Sequence, residues 1–173
     1  MSLFLRVKNR GLAALATAFP AIGERFAAGY RAERQDAGIP WAPVKKPLSA
    51  SSVALVTTAG VHHRDQPAYD MHQRDGDPSF RELDLERPLD SLMVTHDYYD
   101  HTDADRDLNV VFPVERLREL VASGEIGAVA PLGYGFMGHI TGRHLETLKR
   151  QAAPEVAARL KRARVDVVLL APG

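Results

Sequence analysis

The sequence predicts an α/β chain: a mainly parallel sheet in Rossmann-like layers with flanking helices, preceded by an N-terminal helical arm. Three observations carry that prediction. Short aliphatic runs without polar alternation, such as Val53-Ala54-Leu55-Val56 and Val167-Val168-Leu169-Leu170, suit strands buried on both faces, as parallel strands are. Segments with apolar residues at three- and four-residue steps lie between those runs, and strands alternating with helices give α/β layers. The length of 173 residues, with 45% hydrophobic and 25% charged residues, is that of one globular domain, or one domain plus an arm.

From the amino terminus, Phe4, Leu5, Val7, Leu12, Leu15, Phe19, Ile22, Phe26 and Tyr30 recur at helical steps among Arg and Lys. Residues 1–40 therefore read as helix, with a break or kink at Pro20. The stretch from Gly38 to Pro47 holds Pro40, Pro43 and Pro47, which excludes regular helix or central strand and reads as an extended linker. Residues 1–46 are thus expected to form arm and linker, and residues 47–173 the α/β domain.

Within that domain, Ser52–Thr58 is the first strand, closed by Ala59-Gly60. Leu92–His96 is a second, Val165–Leu170 a third, and Ile126–Val129 a weaker fourth. Pro113–Val121 has proline in its first turn and apolar residues at 114, 117, 120 and 121, so it reads as a helix ending near Gly124. His144–Arg162 is a second helix, interrupted or restarted at Pro154. Gly133-Tyr134-Gly135-Phe136-Met137-Gly138 reads as a flexible loop or a tight turn with aromatic packing. Val165–Leu170 has the look of an inner strand with no return helix after it, so the sheet is expected to be incomplete.

Composition removes whole classes of function. The 22 basic and 22 acidic residues cancel, which argues against a general nucleic-acid or membrane-surface binder. No run of 18 apolar residues exists, so no membrane span is expected. The amino-terminal apolar stretch is short and interrupted by Glu24 and Arg25, so no secretion signal is expected; a cytoplasmic location is expected. The absence of cysteine excludes disulfides, thiolate zinc sites, iron–sulfur clusters and cysteine nucleophiles within these residues. The neutral total hides a split: residues 51–109 carry five basic and thirteen acidic residues, and five of the seven histidines.

Chemistry concentrates in that acidic block. Thr95-His96-Asp97-Tyr98-Tyr99-Asp100-His101 follows a strand, and in open α/β sheets ligands sit at the carboxyl ends of strands. His96 there suits a general acid or base, or a histidine that only bonds backbone. His62, His63, His96, Asp97 and His101 have the ligand chemistry of a metal-dependent hydrolase, although their spacing matches no helix-borne metal motif. Asp103-x-Asp105-x-Asp107-x-Asn109 begins like a calcium loop but has Leu108 at position six and Val114 at position twelve, so no metal is assigned. Thr57-Thr58-Ala59-Gly60 is a strand and turn that offers backbone donors, without a full dinucleotide fingerprint.

Four segments together go further: Val53–Tyr69 (VALVTTAGVHHRDQPAY), Gly76–Asp84 (GDPSFRELD), Val94–Ile140 with its Asp-Leu-Asn-Val-Val-Phe-Pro, and Val165–Gly173 (VDVVLLAPG). In order and spacing they resemble the selenoprotein B family of glycine, sarcosine, betaine and D-proline reductases. The resemblance covers residues 47 to 173, with the arm of residues 1–40 outside it. It implies reductive carbon–nitrogen bond cleavage by a selenocysteine or cysteine nucleophile, with a resolving thiol and a dithiol donor. It also implies a pyruvoyl-containing partner subunit, a thioredoxin-like reductant and an oligomer.

In that family the nucleophile's motif follows the strand matching Val165–Leu170. The nucleophile is therefore expected after Gly173, with no cofactor in this chain, selenocysteine in the full-length protein, and this chain cut at a selenocysteine codon and inactive alone. By resemblance and strand-end position, His96, Asp97 and Tyr134 are the candidate catalytic residues. Thr58, Ala59, Gly60, Asp107 and Asn109 are the candidate substrate-binding residues. The alternatives are a non-catalytic family member that binds a partner through its arm, and the metal-dependent hydrolase.

Overall fold

The computed structural model of the chain describes residues 3–28 and 41–173. Helix α1 spans Leu3–Ala18 and α2 spans Pro20–Ala28. The expected break falls between them, because Pro20 has no N–H and is accommodated only at a helix start. The helical reading of residues 29–40, and the first residues of the linker, lie outside the described residues. Residues 41–47 contain no helix or strand.

The domain has one main sheet and one short ladder. The main strands are β1 (Ser52–Thr57), β3 (Phe80–Asp84), β5 (Ala128–Val129), β6 (Leu132–Phe136) and β7 (Val167–Ala171). β1 is central. On one side it pairs in parallel with β5 (Ser52 opposite Ala128) and then with β6 (Val56 opposite Tyr134). On the other side it pairs in parallel with β7 along Val53–Thr57. β3 closes the far edge antiparallel to β6, so the sheet is mixed but mostly parallel. β2 (Val61–His63) and β4 (Leu92–Val94) form a separate antiparallel ladder. The helices that matter are α3 (Thr102–Arg106), α4 (Val114–Ala122), α5 (Gly142–Thr147) and α6 (Ala153–Arg162).

The unalternating sequence of β1 follows from this placement. Val53 and Leu55 face one core, with Val114 and Leu117 of α4 and the ring of Phe112. Ala54 and Val56 face the other, with Val156 and Leu160 of α6. Side chains alternate faces along a strand, so a strand covered on both sides must be apolar throughout.

Three expectations change, and a fourth is narrowed to one of its alternatives. The run 92–96 is no member of the parallel sheet: Leu92–Val94 pairs with β2, and its side chains Leu92 and Val94 join the core on the α4 side. Residues 132–136 are a strand rather than a flexible loop. Their glycines are spacers, since a Cβ at Gly133 would meet the Phe112 ring at 2.8 Å and one at Gly135 would meet the Val61 carbonyl oxygen at 2.2 Å. Of the two readings at Pro154, the restart is the one found. A π-helical turn, Leu148–Ala152, links α5 to α6 and places Pro154 in the first turn of α6, where its missing N–H costs little. Finally, β7 is not buried on both faces: Val168, Leu169 and Leu170 are 38%, 40% and 70% exposed. Among the described residues no strand pairs with its outer edge.

Candidate functional site at the carboxyl ends of the parallel strands

β1, β6 and β7 run in parallel and end at Thr57, Phe136 and Ala171. The residues just beyond them meet. A Cβ at Gly138 would lie 2.8 Å from the Thr58 carbonyl oxygen, 3.6 Å from that of Gly173 and 3.7 Å from His96 Nε2. The Gly173 N–H donates to Thr58 Oγ1 at 3.3 Å.

Thr57 anchors this end of β1. Its buried hydroxyl donates to the Val111 carbonyl at 2.9 Å and accepts from the Ala59 N–H at 3.2 Å. The Tyr99 hydroxyl donates to the Ala59 carbonyl at 3.1 Å. The Thr95 N–H donates to the Gly60 carbonyl at 2.9 Å, which ties the loop after β4 to the loop after β1.

His96 is 5% exposed. Its Nδ1 accepts the Tyr98 backbone N–H at 3.1 Å, which assigns the proton of the neutral ring to Nε2. That Nε2 is buried and has no hydrogen-bond partner among the described residues. Burial, with His139 and His101 nearby, pushes the His96 pKa down to about 4, against the pull of Asp97. The ring is therefore neutral at pH 7. Tyr99 packs edge-on against it at 4.8 Å between centroids and Tyr98 at 5.8 Å. Tyr98 in turn stacks on His139 at 3.9 Å. A buried N–H left without an acceptor is costly and rare, so it marks a place where an acceptor belongs.

Beside this end lies an apolar cavity of about 490 Å³ between sheet and helices. Thr58, Met137 and Gly138 line it near the strand ends, and Val156, Val168 and Leu170 line it along α6 and β7.

Of the predicted site residues, Thr58, Ala59, Gly60 and His96 come together here, and Asp97 is buried next to His96 in the chain. Tyr134 lies elsewhere, in the core under α6, edge-on to Phe80 at 5.9 Å. Asp107 and Asn109 also lie apart. Asp107 accepts the Asn109 backbone and side-chain N–H groups, and Asn109 bonds Glu115 at both its backbone N–H (3.1 Å) and its carboxylate (2.6 Å). The pair thus caps the start of α4, which explains their spacing before Pro113. Tyr99 and Thr57 carry the site's backbone without any signature in the sequence beyond their neighbours.

Two histidines of the alternative metal reading, His62 and His63, are already engaged at both ring nitrogens. His62 Nδ1 lies 2.7 Å from the His63 carbonyl and Nε2 lies 2.8 Å from Thr95 Oγ1. His63 Nε2 accepts the Asp84 N–H at 3.0 Å, leaving Nδ1 to bond Ser91 Oγ. Burial lowers the pKa of both rings. Among the described residues, no three His, Asp or Glu side chains form a group that could hold a metal ion.

An open, mostly parallel sheet whose strand ends converge on one neutral buried donor, with an apolar cavity beside it, defines an α/β protein with these groups at the end of the sheet where such folds place their ligands. Comparison with known families matches residues 9–172 to glycine/sarcosine/betaine reductase selenoprotein B. The chain belongs to that family. The match begins within α1, so the rest of that helix and α2 lie inside it, where the resemblance alone had left residues 1–40 outside. The D-proline reductase subunit gamma of Acetoanaerobium sticklandii is 39% identical over 133 residues, 77% of this chain and 53% of the relative. The glycine reductase complex component B subunit gamma of Carboxydothermus hydrogenoformans is 31% identical over 136 residues, 76% of this chain and 30% of the relative. The betaine reductase complex component B subunit beta of Peptoclostridium acidaminophilum is 32% identical over 152 residues, 86% of this chain and 33% of the relative. The chain thus spans about half to a third of the length of these relatives. No solved structure matches it. Among the described residues no helix is long and apolar enough to cross a membrane.

Proposed function

We propose that this chain is the cradle-forming part of a subunit in a reductase that cleaves a carbon–nitrogen bond of a small amino acid or N-methylated glycine. The observation that carries the reading is the unpartnered, buried Nε2–H of His96 beside Thr58 and Gly138 at the strand ends. A selenol encoded at a selenocysteine codon, or a thiol, from sequence outside these 173 residues would attack the carbon and displace the nitrogen as an amine, and a dithiol that ends as a disulfide would supply the two electrons that release the reduced product.

What this chain does follows from its own groups. His96 donates Nε2–H to an anion held at the strand ends and carries no charge of its own near pH 7. An N–H donor favours the anionic form of the group it faces, and so offsets the cost that a dry site places on ionising a thiol or selenol. The Thr57 and Tyr99 hydrogen bonds hold the backbone of residues 58–59 so that the donor and the cradle keep one geometry. Asp97 completes the buried polar set beside His96. The pyruvoyl-containing partner, the thioredoxin-like reductant and assembly into an oligomer belong to the same reading. Support comes from the family match and from relatives named as subunits or components of reductases.

The test is a turnover measurement paired with selenium analysis. The 173-residue chain with dithiothreitol and D-proline, glycine or betaine is expected to release no reduced product. The protein isolated from cells that make it is expected to contain selenium or an additional cysteine, and to turn over once its partner subunit is supplied. Turnover by the 173-residue chain alone would refute the proposal, as would a native protein with neither group.

A further inference from the structure

β7 has the composition of an inner strand and the position of an outer one. Val168 and Leu170 face the α6 side, where they wall the apolar cavity. Val167 reaches the core on the α4 side, and Leu169 faces the same way by strand alternation. Edge strands are ordinarily blunted by charge, proline, a bulge or shortness, and the five residues Val167–Ala171 show none of these. The strand's one neighbour, β1, is parallel, and parallel sheets are covered on both faces.

We propose that the outer edge of β7 is an interaction surface for a parallel aliphatic strand, contributed by the part of the reductase polypeptide that corresponds to the relatives' additional length. The length is there to supply it: about half of the D-proline reductase subunit lies outside the match. The chemistry of the surface selects the occupant. Among the described residues its outward-pointing backbone groups are unpaired and its side chains are apolar on both faces, so it takes a strand that is itself apolar on both faces. The helix that returns from such a strand covers the open side of the cavity at Leu170. A second copy of the chain would pair edge to edge but bring no helix to cover either cavity. This inference rests on family membership and on the strand edge, not on the reductive chemistry, so the two fail separately.

The experiment is site-specific cross-linking in cells that make the reductase. Leu170→p-benzoylphenylalanine is illuminated and the adduct is sequenced by mass spectrometry. The expected partner is a peptide from the reductase sequence beyond the region matched by these 173 residues. The same photoreactive residue at Leu132, 37% exposed on β6 across β1 from β7, is expected to give no such adduct. In the assembled reductase, amide exchange at Val168–Leu170 is expected to slow by at least about tenfold relative to the 173-residue chain. A cross-link to a second copy of this chain, to an unrelated protein, or to solvent alone overturns the proposal, and so does unchanged exchange.

Discussion

Replacing Thr57 with valine keeps the shape of the strand end and removes its two hydrogen bonds. The side chain is fully buried, donating to the Val111 carbonyl at 2.9 Å and accepting from the Ala59 N–H at 3.2 Å. Leaving a buried donor or acceptor unmade costs about 1–3 kcal/mol each. The added methyl returns less than about 1 kcal/mol in so crowded a place. Thr57→Val is thus expected to destabilise the chain by roughly 2–4 kcal/mol, or roughly 5–15 °C in Tm for a protein of this size. Thr57→Ser keeps both hydrogen bonds and gives up one buried methyl, about 1 kcal/mol. Thermal melts and urea titrations followed by circular dichroism give the order directly. The reasoning requires Ser to be more stable than Val. A valine variant as stable as the serine variant would show that packing, and not hydrogen bonding, fixes the backbone ahead of Thr58.

Two further outcomes are expected. The His96 pKa of about 4 lies below the ordinary 6.5 of the unfolded chain, so the unfolded state binds more protons between those values. Stability from this group is fully present above pH 6.5 and is lost as pH falls toward 4, by roughly 3 kcal/mol. Urea titrations at pH 7.5 and 4.5 are expected to show the loss, and His96→Gln to reduce it; an equal loss in the variant would remove His96 from the account. Gly135→Ala puts a methyl 2.2 Å from the Val61 carbonyl oxygen and 2.9 Å from the Tyr69 hydroxyl. Overpacking of this kind costs about 1–3 kcal/mol or more, and a variant within about 0.5 kcal/mol of the parent in urea would mean that β2 and β6 do not approach as described.

The sequence and the structure agree where local pattern and final environment coincide. β1 is apolar at every position because both its faces are covered, and α4 shows its proline start, its apolar stripe and Gly124 at its end. β6 escapes pattern reading because Gly133 and Gly135 occupy alternate positions, where the Phe112 ring and the β2 backbone leave no room for side chains. The signal that marks a loop is produced there by close packing. β7 misleads in the opposite sense, since its composition describes an inner strand while the described residues leave its outer edge bare. β4 has too few residues to declare its partner, and antiparallel pairing with β2 is set by the three residues between Gly60 and Arg64. At the site, position after a strand is enough to single out His96. Its missing acceptor is a property of three-dimensional burial that no spacing encodes. Asp107 and Asn109 show the converse: a polar motif whose work is capping a helix.

The central position of β1 also sets the order in which the chain can become ordered. The Ser52 N–H finds the Asp166 carboxylate 114 residues further along, and the nearest of its strand partners, Ala128, is itself distant. Sheets closed by such remote pairings fold slowly, because a long loop must be closed before any contact compensates for it. During synthesis the Val53–Val56 segment leaves the ribosome well before β6, α6 or β7 exists to cover it. For that interval it is a bare aliphatic tetrad, the kind of segment that chaperones bind and that seeds aggregation. Yield in cells is therefore expected to depend on chaperone supply and growth temperature more than on the stability of the finished fold.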